Sequence, residues 1–143
     1  MKPEADISNM SESGRRCTLH VCTSCRTKGV PRGPKESRPG FILYQQPHDL
    51  LKDSTLKDHV DVVPAECLSI CPRPCGIALS SNKAWTYLFG DQQPNQTAAE
   101  IMECISIYLQ TTNGFMARSM RPKSLRGSIL GRVPAEIREN QCI

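Results

Sequence analysis

Apolar residues along this chain alternate in short runs and recur at helical spacing in two longer ones. Cys17-Thr18-Leu19-His20-Val21-Cys22 is short, partly apolar and β-prone, and reads as a first strand. Phe41, Leu43, Tyr44, Leu50, Leu51 and Leu56 follow, and the spacing of Leu43, Leu50 and Leu51 predicts a helix over about Gly40–Lys57. Pro47 falls inside that span and should kink it or start a second helix. Val60–Ala65 is rich in β-branched residues and predicts a second strand. Ile77–Ser80 predicts a third and Ala84–Phe89 a fourth, joined by the turn Ser81-Asn82-Lys83 as an antiparallel hairpin. The clearest helix is Ala98–Leu109, where Ala98, Ile101, Met102, Ile105, Tyr108 and Leu109 form one apolar face. Thr97 should cap it, with Glu100 completing a capping box, and Asn113-Gly114 should end the segment.

The predicted order is β-α-β-β-β-α. A βαβ unit followed by a hairpin and a helix is the thioredoxin-like α/β plan, a mixed sheet with helices packed on it. Three regions follow. Residues 1–16 have few apolar side chains and read as a disordered tail. Residues 17–114 hold all the periodic elements. Residues 115–143 are basic, punctuated by Gly and Pro and without a periodic element, and should drape over the domain.

Length and composition narrow the setting. With 143 residues, the chain can form one domain with a sizeable core. No apolar run approaches the ~18 residues that a membrane span needs, and no apolar stretch follows Met1-Lys2 as in a secretory signal. These features predict a cytoplasmic protein with reduced thiols. The net charge of +4 is unevenly placed. Arg26, Lys28, Arg32, Lys35 and Arg38 make one basic segment. Arg118, Arg121, Lys123, Arg126, Arg132 and Arg138 make another. As solvated loops they need no explanation; as a surface they would suit an acidic protein partner. Aromatic residues are too few for a nucleic-acid platform, and no reader motif is present.

The eight cysteines carry the chemistry. Cys22-Thr23-Ser24-Cys25 follows the first strand. Cys67-Leu68-Ser69-Ile70-Cys71-Pro72-Arg73-Pro74-Cys75 lies between the second strand and the third. The two prolines stiffen this second loop, and a stiff loop presenting several thiols suits a metal, because preset geometry lowers the entropy cost of ligation. In the thioredoxin-like plan the loops after the first and second strands lie at one end of the sheet. Cys22, Cys25, Cys67 and Cys71 are therefore the predicted ligands, with Cys75 the rival for the fourth place. Thiolates select zinc, copper(I) or iron–sulfur clusters, and four of them complete a zinc site or a 2Fe–2S cluster. Zinc or cobalt without redox chemistry is the alternative. Thiol–disulfide exchange ranks third, since Cys25 runs into Arg-Thr-Lys-Gly-Val-Pro and not into a helix N-terminus that would acidify it. Cys17, Cys104 and Cys142 lack paired spacing and should be dispensable. His20, His48 and His59 are scattered, and only His20 stands near a cysteine pair. No paired carboxylates, Ser/His/Asp set or phosphate loop argues for a hydrolase or a nucleotide enzyme.

Leu19–Arg26, Val63–Cys75, Trp85–Asp91 and the stretch Leu125-Arg126-Gly127 through Pro134 resemble a family of small bacterial proteins described as predicted metal-binding. That family is similar to thioredoxin-like 2Fe–2S ferredoxins. The resemblance implies a metal centre more firmly than a reaction, and implies a partner in electron transfer or in cobalamin or metal handling. The Cys22-x2-Cys25 gap is shorter than the one such ferredoxins keep between their first two ligands.

Overall fold

Strand β1, Cys17–Cys22, alternates between two faces. Cys17, Leu19 and Val21 are buried on one face, while Thr18 and His20 are half-buried on the other. This period of two is what a strand demands of a sequence covered mainly on one side. The computed structural model describes residues 16–24, 31, 33–68 and 75–135. The tail 1–15 and the last residues, 136–143, lie outside them.

Helix α1 spans Pro39–Leu51, shorter than the predicted Gly40–Lys57. Pro39 opens it, where a missing N–H costs nothing. Pro47 is accommodated in one helix, without the bond its N–H would have made. The helix stops because the next residues bond locally. The Ser54 N–H donates to the Leu51 carbonyl at 3.0 Å, and the Ser54 hydroxyl accepts the Leu56 N–H at 3.0 Å. Serine offers the backbone this competing arrangement. Leu56 still joins the core, as its apolar character predicted.

Strands β2 (Val60–Ala65) and β3 (Ile77–Ser80) match their predicted limits, and β4 is Thr86–Phe89. Helix α2, Ala98–Gln110, buries Ile101, Ile105, Tyr108 and Leu109. Its predicted capping box does not form. Thr97 has helical backbone angles and no capping bond to the helix, and its hydroxyl instead accepts the Gln93 N–H at 3.2 Å. Glu100 is drawn elsewhere, accepting the Ser124 N–H at 2.9 Å.

The C-terminal segment departs most from the sequence reading. It holds two 3-10 turns, Arg118–Met120 and Lys123–Leu125, and a fifth strand, β5, Ile129–Val133. Met116 and Leu125 are fully buried in the core. A five-residue strand containing Gly131 and Arg132 has too little alternation to declare itself. Its pairing with β4 is a tertiary matter.

The sheet order is β2-β1-β3-β4-β5. β1 and β2 are parallel, and every other pair is antiparallel. A parallel βαβ unit extended by an antiparallel hairpin is the predicted thioredoxin-like arrangement. The register sets Leu19 beside Val62 and Leu79, and Tyr87 beside Leu79, so these residues line one face toward the helices. On edge strand β2, Asp61 and Pro64 are exposed, a charge and a missing N–H that discourage pairing with another chain. Gly114 has a φ of +87°, and a Cβ there would stand 2.9 Å from Ala84 Cβ, from the Trp85 N and from Tyr108 Cε1. Only glycine fits this turn, as its place in Asn113-Gly114 suggested. Among the described residues no helix is long and apolar enough to cross a membrane.

Candidate metal centre

Three chain segments meet at one end of the sheet, where β1 ends, β2 ends and β3 begins. Main-chain bonds lock them together. The Cys22 N–H donates to the Gly76 carbonyl at 2.9 Å, and the Thr23 N–H donates to the Ala65 carbonyl at 2.8 Å. The Thr23 hydroxyl reaches the same Ala65 oxygen at 3.3 Å. The Gln92 N–H, from the segment after β4, donates to the Cys75 carbonyl at 3.1 Å. These bonds arise because parallel β1/β2 and antiparallel β1/β3 continue their ladders one residue past the strands.

The structure thus brings Cys22, Cys67 and Cys75 to the same end of the sheet. Cys22 and Cys75 are each 3% exposed and belong to the core cluster, whereas Cys67 is exposed. Cys25 and Cys71 lie outside the described residues. Among the described residues no group of three or more His, Cys, Asp or Glu side chains stands ready to hold a metal ion. The donor chemistry fits a thiophilic metal.

The remaining cysteines separate cleanly. Cys17 is at the far end of β1, with its N–H on the His59 carbonyl at 2.9 Å. Cys104 lies inside, its Sγ 3.8 Å from Met116 Sδ. Burial pushes its thiol up to about 12, partly offset by the nearby Arg121 charge. A thiol held protonated is a packing group and not a ligand. Cys142 lies outside the described residues. Of the histidines, His48 is on α1 and His59 precedes β2 at the far end, while His20 is in mid-strand between Val63 and Ala78.

The second basic segment has an internal use that the sequence did not announce. Arg121 is 4% exposed. Its Nε donates to the Leu125 carbonyl at 2.8 Å, Nη1 to the Met116 carbonyl at 3.2 Å and Nη2 to the Arg126 carbonyl at 3.3 Å. Arg126 returns a bond from its Nε to the Arg121 carbonyl at 2.8 Å. Burial lowers the Arg121 pKa from its usual value, and the charges of Arg118 and Arg132 lower it further. Tyr87 closes the same region, its hydroxyl accepting the Met116 N–H at 2.7 Å. Nothing in a run of arginines distinguishes the one that turns inward. A second buried polar group, Gln92, donates its side-chain amide to the Gly90 carbonyl at 2.9 Å and to Ser128 Oγ at 3.2 Å.

Residues 19–135 match the family model described as "Protein of unknown function (DUF1636)", and the chain belongs to that family. Among curated proteins none matches. Two solved structures of a thioredoxin-like [2Fe-2S] ferredoxin from Aquifex aeolicus are similar to it. One is 19% identical, covering 62% of this chain and 77% of the ferredoxin with a TM-score of 0.49. The other, of the wild type, is 17% identical and covers 69% and 90% with a TM-score of 0.47.

Proposed function

We propose that this chain binds a metal centre through thiolates from the two loops at the Cys22 end of the sheet, and that the centre is a 2Fe–2S cluster serving electron transfer. The observation that carries the reading is the main-chain lock between Cys22 and Gly76 and between Thr23 and Ala65. Through it, both cysteine loops depart from one fixed place. Cys22 and Cys25 are the ligands from the first loop, and Cys67 and Cys71 those from the second. Cys75 is the rival for the last place. A 2Fe–2S centre supplies reversible one-electron chemistry, with a potential set by charge, hydrogen bonding and exposure. The protein's part is to hold the thiolates at fixed spacing and to shield one side of the site with the buried Cys22 and Cys75 strand ends.

Zinc or cobalt is the alternative, favoured by the Cys22-x2-Cys25 spacing, which is that of a zinc knuckle. Protein purified without oxygen separates the two. The cluster reading expects a brown protein that absorbs in the visible, bleaches with dithionite and contains iron and acid-labile sulfide in equal amounts. A colourless protein with stoichiometric zinc overturns the electron carrier and keeps the metal site.

A further inference from the structure

At the end of the sheet remote from Cys22, Cys67 and Cys75, three side chains form a stack. Trp85 precedes β4, Phe115 follows the Gly114 turn, and Arg132 is on edge strand β5. The two rings meet edge to face at 5.3 Å, and the Arg132 Cζ stands 5.2 Å from each ring centroid. Thr86, next to Trp85, pairs with Val133 at this end of β4, whereas the other end of β4 leads to Gln92 and Cys75. Phe115 and Val133 remain 39% and 53% exposed, and Arg132 and Arg118 are exposed.

We propose that the Trp85–Phe115–Arg132 stack is a docking site for an acidic segment of another protein that also carries apolar side chains. Charge complementarity carries the choice of partner. The Arg132 side chain makes no hydrogen bond or ion pair among the described residues, where Arg16 pairs with Asp61 and Lys52 with Asp49. Arg118 also has no carboxylate, and spends one N–H on the Arg126 carbonyl. Stacking on two rings already fixes the Arg132 side chain, so pairing its planar fork with a carboxylate loses little further rotamer freedom. Aromatic and arginine side chains side by side are the composition of interface anchors. The basic segment thus divides by role: Arg121 closes the fold, while Arg132 and Arg118 face outward.

The site stands independently of the metal reading, and its test does too. Trp85 is the sole tryptophan of the chain, so intrinsic fluorescence reports on this place. The probe is a short synthetic peptide alternating Glu and Val, with a Lys-Val peptide as its control. The Glu-Val peptide should shift Trp85 emission saturably, with affinity that falls as salt rises. Arg132→Glu should weaken it roughly tenfold or more, and Arg118→Glu by less. Phe115→Ala should weaken it while leaving the salt dependence in place. Each variant should stay folded and keep the metal content of the parent. Unchanged affinity in both Arg132→Glu and Phe115→Ala overturns the proposal. So does equal binding of the Lys-Val peptide, or a tighter response to phosphatidylserine vesicles or to single-stranded DNA.

Discussion

Two regions of this molecule are ordered by different means. At the cysteine end, main-chain groups of adjacent strands hold one another: Cys22 to Gly76, Thr23 to Ala65, Gln92 to Cys75. In the C-terminal segment, side chains hold the main chain: Arg121 gathers three carbonyls and Arg126 returns a bond to the first arginine. The difference has a chemical sense. A connection without ladder partners must satisfy its own carbonyls, and arginine, with five donors, does so at one residue. A connection meant to offer side chains to a metal is better anchored by the strands it joins. The two regions should therefore fail separately.

The largest expected effect comes from removing the Arg121 guanidinium. Arg121→Met keeps much of the volume but strips the Leu125 carbonyl of its donor and leaves the Met116 and Arg126 carbonyls to Tyr87 and Arg118 alone, which should cost roughly 3 kcal/mol of stability. Arg121→Lys should recover only part, since an ammonium cannot spread over the same fork. Urea unfolding measures both. A loss under about 1 kcal/mol would mean that the Leu125 carbonyl finds another donor, and the contrast between the two regions would weaken.

Next is Tyr87→Phe. The hydroxyl accepts the buried Met116 N–H, so its removal should cost about 1–3 kcal/mol. The molecule that remains folded should bind metal as before. A fall in metal content at unchanged fold would show that the two regions are coupled.

Cys104 sharpens the comparison through pH. Its thiol is pushed up to about 12 in the fold, against ~8.5 in an open chain. Above the lower value the unfolded state gives up its proton first, so stability is full below it and falls as pH climbs toward the higher. Cys104→Ala should flatten that alkaline slope, and iodoacetamide should leave Cys104 unmodified in folded protein. Rapid alkylation at neutral pH would place Cys104 among the accessible thiols.

How far the sequence spoke differs between the regions for the same physical reason. β1, β2 and β3 were legible to the residue, because alternation and β-branched runs are local signals. α2 was legible from its apolar face within one residue. The end of α1 was not, since Ser54 decides it by bonding to neighbours. β5 and the inward turn of Arg121 were also hidden, because both depend on partners distant in sequence. Of the candidate site, the convergence of Cys22, Cys67 and Cys75 follows from a legible topology. The cage around Arg121 has no pattern that a single sequence could show.

The smallest expected effect is at Glu100. The hydroxyl of Ser124 beside it and the Ser124 main-chain N–H bonded to it hold its carboxyl below the usual range. The stability it lends is therefore present above the ordinary carboxylate pKa and is lost as pH falls through the lowered one. Glu100→Gln should cost under about 1 kcal/mol at neutral pH, since the group is largely hydrated. The acid midpoint of unfolding should also shift little. A large shift would mean that Glu100, and not Arg121, anchors the C-terminal segment.

The central claim is that one centre is shared by two loops. Metal stoichiometry of single serine variants, purified without oxygen, tests it most directly. Cys22→Ser and Cys25→Ser should lose the metal as fully as Cys67→Ser and Cys71→Ser, while Cys17→Ser and Cys104→Ser keep it. Full metal content in both Cys22→Ser and Cys25→Ser would contradict the account, because the site would then need no first loop.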